Sequence, residues 1–346
     1  MNITKLAETA QALVSNDKGL LAMDESMGTC NRRFAALGIP QTEEARRAYR
    51  EWILTAPGLP ESISGAILFD ETIHQKAGDG ASFVDVLRRE GIIPGIKVDL
   101  GAIAMPGFPG EKVTEGLDGL RDRLGAYSRL GARFAKWRAV ITIGDGIPSR
   151  GCIEANAQVL ARYAALCQEA GIVPIVEPEV LMDGTHPVGR CLDATEAALR
   201  ALFRHLAEQR VQLEGLILKP NMVVPGKDCP DQTGVEEVAD LTVKCFLRNV
   251  PAAVPGIAFL SGGQSGEVAA ARLNAMNVRF KGRMPWALTY SFSRAIQYPA
   301  LELWSGKASQ VAVAQRALVH RARCSRAARQ GRYSAAMEKD AAAGPR

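Results

Sequence analysis

The chain has 346 residues, of which 47% are hydrophobic and 23% are charged, and its formal net charge at pH 7 is +5. This composition predicts an ordinary soluble protein that can bury a sizeable core. The positive charge is too small to indicate nucleic acid binding by itself, although it suits an anionic substrate.

The N-terminal segment and the cysteines indicate the cytoplasm. Residues 1–21 alternate polar and apolar side chains and lack the continuous apolar block of a signal peptide. No apolar run is long enough to span a bilayer. The seven cysteines are scattered without a C-x-x-C pair, as expected of reduced thiols. The four histidines show no ligand spacing on any one element, so we expect no histidine-bound catalytic metal.

Apolar runs recur along the chain with helix-like segments between them, which predicts βαβ units and a parallel sheet. Eight such units favour a closed (β/α)8 TIM barrel of the α/β class over an open sheet. No repeat or composition break marks a second domain, so we predict one catalytic domain over 1–330 and a mobile tail over 331–346. The predicted strands are 19–24, 65–70, 94–99, 134–141, 172–177, 215–219, 256–260 and 286–290, and predicted helices include 46–54, 193–210, 233–248 and 265–274.

Charged or polar residues stand at the ends of nearly all the predicted strands. Catalytic groups of a (β/α)8 barrel gather at the C-terminal ends of its strands, so these residues are the candidates for chemistry. They are Asp24, Ser26, Lys97, Asp99, Lys136, Arg138, Glu177, Glu179, Lys219, Ser261, Gly262, Ser293 and Arg294.

Two lysines predict Schiff-base chemistry on a carbonyl. Lys219 ends an apolar run, and Pro220 turns the chain out of the strand because proline cannot donate to a ladder. Desolvation at the mouth of a hydrophobic core favours the neutral amine, which is the form that attacks a ketone. Lys136 or Arg138 supplies a nearby cation if the two strands share an interior layer. The alternative is that each lysine extends from its strand end into solvent.

Three carboxylates are candidates for the proton transfers that imine chemistry needs. Glu177 and Glu179 alternate on one strand, so they share a face. The alternatives are structural salt bridges for the two glutamates, and a helix N-cap for Asp24.

Two places are candidates for binding phosphate. The loop 261–266 precedes a helix, and its glycines leave backbone N–H groups and a positive helix end open to an anion. Arg294 opens the next helix, after strands seven and eight, where barrel enzymes bind phosphate. Arg32 and Arg33 follow the first strand and are candidates for a second phosphate, or else form a solvated helix face.

Two other segments are not expected to carry chemistry. Residues 316–332 contain six arginines and no acid, which predicts a solvated helix, and the absence of interleaved aromatic residues argues against a nucleic acid partner. The segment 144–146 is expected to be a turn.

Several segments together resemble the class I fructose-bisphosphate aldolase family. The resemblance runs in chain order from about residue 20 to residue 307. The segments that carry it are GAILF at 65–69, GIKVD at 95–99, GLDG at 116–119, FAKWR at 134–138, PIVEPE at 174–179, LKPNM at 218–222, NMVVPG at 221–226 and LSGGQS at 260–265.

The resemblance implies a (β/α)8 barrel that reversibly cleaves fructose 1,6-bisphosphate to dihydroxyacetone phosphate and glyceraldehyde 3-phosphate, without a metal or other cofactor. It implies that Lys219 forms the Schiff base and that Glu177 is the acid and base for dehydration and later proton transfers. Lys136 is implied to stabilise the intermediates, and Asp24 to help deprotonate the substrate hydroxyl whose collapse breaks the carbon–carbon bond. A cytoplasmic homotetramer of glycolysis and gluconeogenesis is the expected assembly.

The resemblance also implies the substrate-binding residues. Serine and arginine side chains and glycine backbone at the mouth hold the two phosphates, and the remaining residues are charge partners. Ser261, Gly262, Ser293 and Arg294 are implied at one phosphate, Arg33, Ser26 and Lys97 at the other, and Glu179, Lys97 and Arg138 around the reacting groups.

Three positions depart from the family pattern. Arg32 stands where the family often has lysine, and Ser293 stands where it has glycine. Animal members end in a tyrosine that reaches the active site, whereas the last tyrosine here is Tyr333. The group that protonates the enamine is therefore left open.

Three alternatives are kept. The chain is a Schiff-base aldolase for another ketose bisphosphate such as sedoheptulose 1,7-bisphosphate, or it is a non-catalytic barrel scaffold. A metal-dependent class II enzyme is the third.

Overall fold

The computed structural model describes residues 2–280 and 282–342. The strands are β1 (Gly19–Ala22), β2 (Ile63–Leu68), β3 (Ile93–Lys97), β4 (Gly101–Ala104), β5 (Lys112–Glu115), β6 (Phe134–Ile141), β7 (Val173–Val180), β8 (Ile217–Leu218), β9 (Gly256–Phe259) and β10 (Ala287–Phe292). The α-helices are α1 (Ile3–Leu13), α2 (Met27–Ala35), α3 (Glu43–Leu54), α4 (Asp70–His74), α5 (Phe83–Arg89), α6 (Leu120–Leu130), α7 (Arg150–Glu169), α8 (Val188–Glu208), α9 (Val235–Asn249), α10 (Gly266–Phe280), α11 (Arg294–Trp304) and α12 (Val311–Gln330). Four short 3₁₀ helices occupy Leu59–Glu61, Leu213–Gly215, Ala308–Gln310 and Ala335–Ala342.

Eight parallel strands close into a barrel in the order β1-β10-β9-β8-β7-β6-β3-β2. Each predicted strand overlaps one barrel strand, so the predicted (β/α)8 fold is confirmed. The antiparallel hairpin of β4 and β5, inserted after β3, was not predicted. Strand β8 has only two residues, so Lys219 lies just beyond it, although its N–H still donates to the Val176 carbonyl at 2.9 Å.

The barrel interior is filled from the N-terminal end by apolar side chains. Phe134, Ile175 and Ile217 form this inner core with Leu6 and Leu13 of α1, which closes the bottom of the barrel. Since side chains alternate along a strand, the next inward positions towards the top of β6 and β7 belong to charged residues. The alternation therefore places apolar packing low in the barrel and the polar cluster high in it.

One interior glycine shows how tight this packing is. A Cβ atom at Gly95 would lie 2.2 Å from the Phe134 ring. Glycine at this position leaves room for Phe134 in the inner core, two residues before Lys136 on the same strand.

The helices form the outer layer, and the predicted ones are present with small shifts of their ends. The expectation of a solvated helix over 316–332 is wrong in part. Helix α12 packs against α10 and α11, and Arg321 on it is only 4% exposed. Arg329 also turns inward and donates to the backbone carbonyls of Val14 and Lys18. Arg321 donates to the Glu338 carboxylate, so both inward arginines have acceptors that a count of charges does not reveal.

The segment after α12 returns to the barrel. The Tyr333 N–H donates to Asn274 Oδ1 at 2.9 Å, and the Tyr333 hydroxyl donates to Glu338 Oε1 at 2.7 Å. The mobility of the tail 331–346 stays a prediction, and its last residues, 343–346, lie outside the described residues. Among the described residues, no helix is both long and apolar enough to cross a bilayer.

Candidate active site

A cavity of about 1030 Å³ opens at the C-terminal ends of the barrel strands. Strands β1, β3, β6 and β7, the residue after β8, and the loops after β9 and β10 all contribute to its lining. The structure brings all the predicted site residues together there, namely Asp24, Ser26, Arg33, Lys97, Lys136, Arg138, Glu177, Glu179, Lys219, Ser261, Gly262, Ser293 and Arg294.

Four charged groups form what we call the floor of the cavity: Asp24, Lys136, Glu177 and Lys219. Glu177 joins the two amines, with Oε1 at 3.1 Å from Lys219 Nζ and Oε2 at 3.2 Å from Lys136 Nζ. Lys136 Nζ also lies 2.7 Å from Asp24 Oδ2. No floor residue is more than 8% exposed. The floor is therefore a buried, alternating chain of amines and carboxylates.

The local sequence explains this arrangement. Lys136 lies two residues after Phe134, and Glu177 lies two residues after Ile175, so both share the inward face with the inner core. The intervening Trp137 points outward and packs against Tyr163, with ring centroids 5.4 Å apart. Strand β7 lies between β6 and β8, which is why its glutamate reaches both lysines.

The two amines differ in their surroundings. Burial by itself lowers the pKa of Lys136, but the charges of Asp24, Glu177 and Asp99 outweigh it and raise the pKa well above its ordinary value. Asp99 Oδ2 lies 4.0 Å from Lys136 Nζ. Lys219 contacts one carboxylate of the floor. The three carboxylates thus favour the charged form of Lys136.

Asp24 is held ionised by the same contacts. Burial raises the pKa of Asp24, but the charges of Lys136 and Lys219 outweigh this and keep the pKa below its ordinary value. The alternative that Asp24 caps a helix is wrong, because Ser26 is the N-cap of α2 and accepts from the Thr29 N–H at 3.4 Å.

Two further ion pairs border the floor. Glu179 shares the inward face with Glu177, as predicted, and its carboxylate accepts a hydrogen bond from Arg138 Nε. Lys97 Nζ lies 2.8 Å from Asp99 Oδ1. These two ion pairs extend the charged lining of the cavity around the floor.

Six residues above the floor form what we call the rim: Ser26, Arg33, Ser261, Gly262, Ser293 and Arg294. On one side, Gly262 and Gly263 have φ values of +60° and +101°, which side chains other than glycine rarely adopt. In the part of the chain that the structure describes, their N–H groups donate to no protein acceptor. Arg294 Nη2 lies near Gly263, at 3.4 Å from where a Cβ would stand. Backbone donors and a guanidinium converge there, as anion binding requires.

The other side of the rim contains Arg33, whose Nη1 lies 2.6 Å from Glu25 Oε1. Its neighbour Arg32 is exposed and donates to Thr29 Oγ1 at 3.1 Å. The Ser293 hydroxyl also donates to Glu25 Oε1, at 2.7 Å. Glu25 therefore links the first and last strands of the barrel below the rim.

Sequence reasoning missed Glu25 and the residues that hold it. Arg50 of α3 pairs with Glu25 Oε2 at 2.6 Å, and Gln297 of α11 donates to Oε1 at 3.2 Å. Burial raises the pKa of Glu25, but Arg50, Arg33 and the Ser293 hydroxyl outweigh this and hold the pKa far below its ordinary value. The signal in the sequence was a second acid beside Asp24 at a strand end.

Two buried oxygens in the cavity retain hydrogen-bonding capacity. Glu177 Oε2 is close enough to Lys136 for an ion pair, but it has no hydrogen-bond partner among the described residues. The Ser291 hydroxyl is likewise buried in the lining without a partner in that part of the chain. A carboxylate oxygen free to exchange a proton, next to a buried amine, is suited to forming and hydrolysing an imine.

Comparisons with known proteins show which family the chain resembles over most of its length. Residues 5–345 match the family model for glycolytic class-I fructose-bisphosphate aldolase. A protein of Xanthomonas campestris pv. campestris, named "Probable fructose-bisphosphate aldolase class 1", is 60% identical over 88% of this chain and 91% of its own length. Fructose-bisphosphate aldolase 4, cytosolic, of Arabidopsis thaliana is 49% identical over 95% of this chain and 84% of its own. The chloroplastic aldolase 1 of Chlamydomonas reinhardtii is 49% identical over 98% and 89%.

A solved structure is similar throughout. The fructose-bisphosphate aldolase of Plasmodium falciparum, crystallised with TRAP and a small molecule inhibitor, superposes with a TM-score of 0.94 at 46% identity. The superposition covers 96% of this chain and 95% of that one.

Proposed function

The chain belongs to the class-I fructose-bisphosphate aldolase family of glycolytic lyases, and from this membership we propose how the floor and the rim cleave fructose 1,6-bisphosphate. The observation that carries the proposal is Glu177, whose two carboxylate oxygens lie 3.1 and 3.2 Å from two buried amines. The cavity has the volume and the cations to admit a sugar with a phosphate at each end.

Lys219 is the nucleophile in this proposal, because Lys136 is held as a cation by three carboxylates. Lys219 first passes a proton to Glu177, 3.1 Å away, and the neutral amine then attacks the C2 ketone and forms a carbinolamine. Glu177 donates a proton to the carbinolamine hydroxyl, which leaves as water, and the protonated imine remains. Lys136 stabilises the developing negative charge on oxygen during the attack.

Asp24, which is an ionised carboxylate, then acts as the base and accepts the proton of the C4 hydroxyl. The C3–C4 bond breaks, its electrons pass into the iminium, and glyceraldehyde 3-phosphate leaves. The resulting enamine takes one proton at C3, and water hydrolyses the imine to release dihydroxyacetone phosphate. The water lost in forming the imine returns here, so the reaction balances without another reactant.

The rim, together with Lys97, binds the two phosphates in this proposal. Ser261, Gly262, Ser293 and Arg294 bind one of them, and Arg33, Ser26 and Lys97 bind the other. Arg138 and Glu179 form a charged pair beside the path between the two sites. A ketose with two phosphates is favoured over one with a single phosphate, because both sides of the rim present cations.

Cleavage assays test this function. We expect turnover of fructose 1,6-bisphosphate that a chelator does not reduce, with a lower kcat/KM for fructose 1-phosphate. Complete loss of cleavage in chelator would support the class II alternative, and no turnover at all would support the scaffold. A higher kcat/KM for sedoheptulose 1,7-bisphosphate than for fructose 1,6-bisphosphate would change the preferred substrate and leave the mechanism unchanged.

The setting of the enzyme is also part of the proposal. A homotetramer in the cytoplasm, serving glycolysis and, in the reverse direction, gluconeogenesis, follows the pattern of the family. Light scattering on the purified chain tests the subunit number, and a monomer at working concentration would contradict it.

A further inference from the structure

Three potential metal ligands meet at the surface of the barrel between α12 and the C-terminal 3₁₀ segment. One ligand atom each from His320, Cys324 and Glu338 lies within 4.8 Å of the other two. His320 Nε2 is 3.6 Å from Cys324 Sγ and 3.9 Å from Glu338 Oε2. His320 and Cys324 are four residues apart on α12, so they share one face of the helix.

The separations suit a tetrahedral ion. Zinc with bonds of about 2.1 Å to nitrogen and 2.3 Å to sulfur separates those two atoms by about 3.6 Å. The distance from the histidine nitrogen to the carboxylate oxygen is about 0.5 Å longer than a tetrahedral site needs, which a small rotation of the glutamate corrects. Mixed nitrogen, sulfur and oxygen donors favour Zn²⁺ over Mg²⁺ or Ca²⁺, which prefer oxygen ligands.

Neighbouring side chains orient the carboxylate ligand. Tyr333 donates to Glu338 Oε1 at 2.7 Å, and Arg321 donates to Oε2. A metal-binding carboxylate is commonly fixed by such outer contacts, and its oxygen has a second lone pair for the ion.

The charges in the cluster also balance. A cysteine thiolate and the Glu338 carboxylate together neutralise a divalent ion. Arg321, which is buried, retains Glu267 of α10 as a counter-charge, since its Nη1 lies 3.7 Å from Glu267 Oε1. Binding converts the Cys324 thiol to the thiolate and releases its proton to solvent.

We propose that His320, Cys324 and Glu338 bind one Zn²⁺ per chain, with water as the fourth ligand, and that the ion fastens the segment Ala335–Ala342 to α12. This site lies outside the cavity and takes no part in the cleavage reaction. The spacing of the histidines alone predicted no histidine-bound catalytic metal. That prediction did not take into account that His320 lies four residues before Cys324 on the same helix.

Metal titration of the purified chain, after treatment with a chelator, tests the site. We expect one tight Zn²⁺ site, and at least ~10-fold weaker binding in each of His320→Gln, Cys324→Ala and Glu338→Gln. With Co²⁺ in place of Zn²⁺, the chain should show a near-ultraviolet thiolate-to-cobalt band that Cys324→Ala lacks. His205→Ala is the matched control, because His205 contacts two carboxylates, Glu154 and Glu208, without a cysteine.

A second readout reports on the segment itself. Trypsin cleaves after the exposed Lys339, and Zn²⁺ should slow that cleavage at least ~5-fold in the unsubstituted chain but not in Glu338→Gln. This test does not require Cys324→Ala to fold. Equal Zn²⁺ affinity in the chain and its three variants, or the absence of a thiolate band, would overturn the proposal and leave a hydrogen-bonded contact only.

Discussion

The floor and the rim of the cavity are both rich in charge, but they use it differently. In the floor, each amine faces a carboxylate within 3.2 Å, and every member is buried. In the rim, Arg33 pairs with Glu25, but Arg294 is exposed and, within the described residues, forms no ion pair. Buried charges that neutralise one another can exchange protons, whereas an exposed, unpaired cation is available to the phosphate of a substrate. Substitutions in the floor should therefore lower kcat, and those in the rim should raise KM.

The largest effect is expected from Lys219→Met. The substitution removes the nucleophile and keeps most of the side chain volume, so cleavage should fall by at least ~10⁴-fold. Binding of the substrate should persist, because the rim is unchanged. The checks are kcat from a coupled assay and substrate affinity from calorimetry, and full residual activity would contradict the mechanism.

Glu177→Gln should follow, with kcat reduced by about 10²–10⁴-fold, the usual loss for a general acid and base. An amide cannot transfer the proton to the carbinolamine, and it removes the partner of Lys219. Glu179→Gln is the matched control, because Glu179 lies on the same face and pairs with Arg138 instead. Single-turnover kinetics should show a loss in Glu177→Gln at least ~10-fold greater than in the control. Equal losses would assign Glu177 a merely structural role.

Glu25→Gln tests how much the contacts between Glu25 and the rim contribute to the free energy of unfolding. Contacts with Arg50 and Arg33 hold the folded-state pKa of Glu25 below its ordinary value of 4.5. The contribution of the Glu25 carboxylate to the free energy of unfolding is therefore present above about pH 4.5 and is lost as the pH falls through the folded-state pKa. We expect the substitution to cost about 3 kcal/mol of unfolding free energy at pH 7.

Urea unfolding at pH 7 and at pH 3 measures this difference, which should shrink at the lower pH. Glu8→Gln is the control, because Glu8 is exposed on α1. A difference that grows on acidification would have the wrong sign for an ion pair.

Arg294→Ala should raise KM by about 10–100-fold with little change in kcat, since a charged hydrogen bond to phosphate is worth about 1.5–3 kcal/mol. Arg89→Ala, on the exposed side of α5, should leave both constants unchanged. Steady-state kinetics would contradict the division between floor and rim if Arg294→Ala lowered kcat and left KM alone.

The smallest effect is expected from deleting residues 334–346. No tyrosine lies in that segment, so kcat should change by less than about 2-fold. The deletion removes Glu338 and so abolishes the proposed zinc site. A large loss of turnover would show that another group of the tail takes part in proton transfer.

The sequence predicted the barrel and the floor for the same physical reason. Apolar runs that end in charge mark strands of a parallel barrel, and the C-terminal ends of those strands converge, so Lys136, Glu177 and Lys219 were expected at one end of it. The hairpin of β4 and β5 escaped because its residues are mostly half-buried or exposed and have no strong apolar pattern.

The contacts of Glu25 could not be predicted, because its partners come from distant segments. Gln297 is 272 residues away along the chain. The buried side of α12 escaped because six arginines indicate solvent, while the carbonyls that accept from Arg329 lie 311 and 315 residues away along the chain.

Trapping the imine tests the central claim most directly. The chain is incubated with dihydroxyacetone phosphate, reduced with borohydride, digested and mapped by mass spectrometry. We predict one stable addition per chain, on the peptide that contains Lys219, and none in Lys219→Met. An addition on Lys136 instead, or no addition at all, would contradict the assignment of Lys219 as the nucleophile.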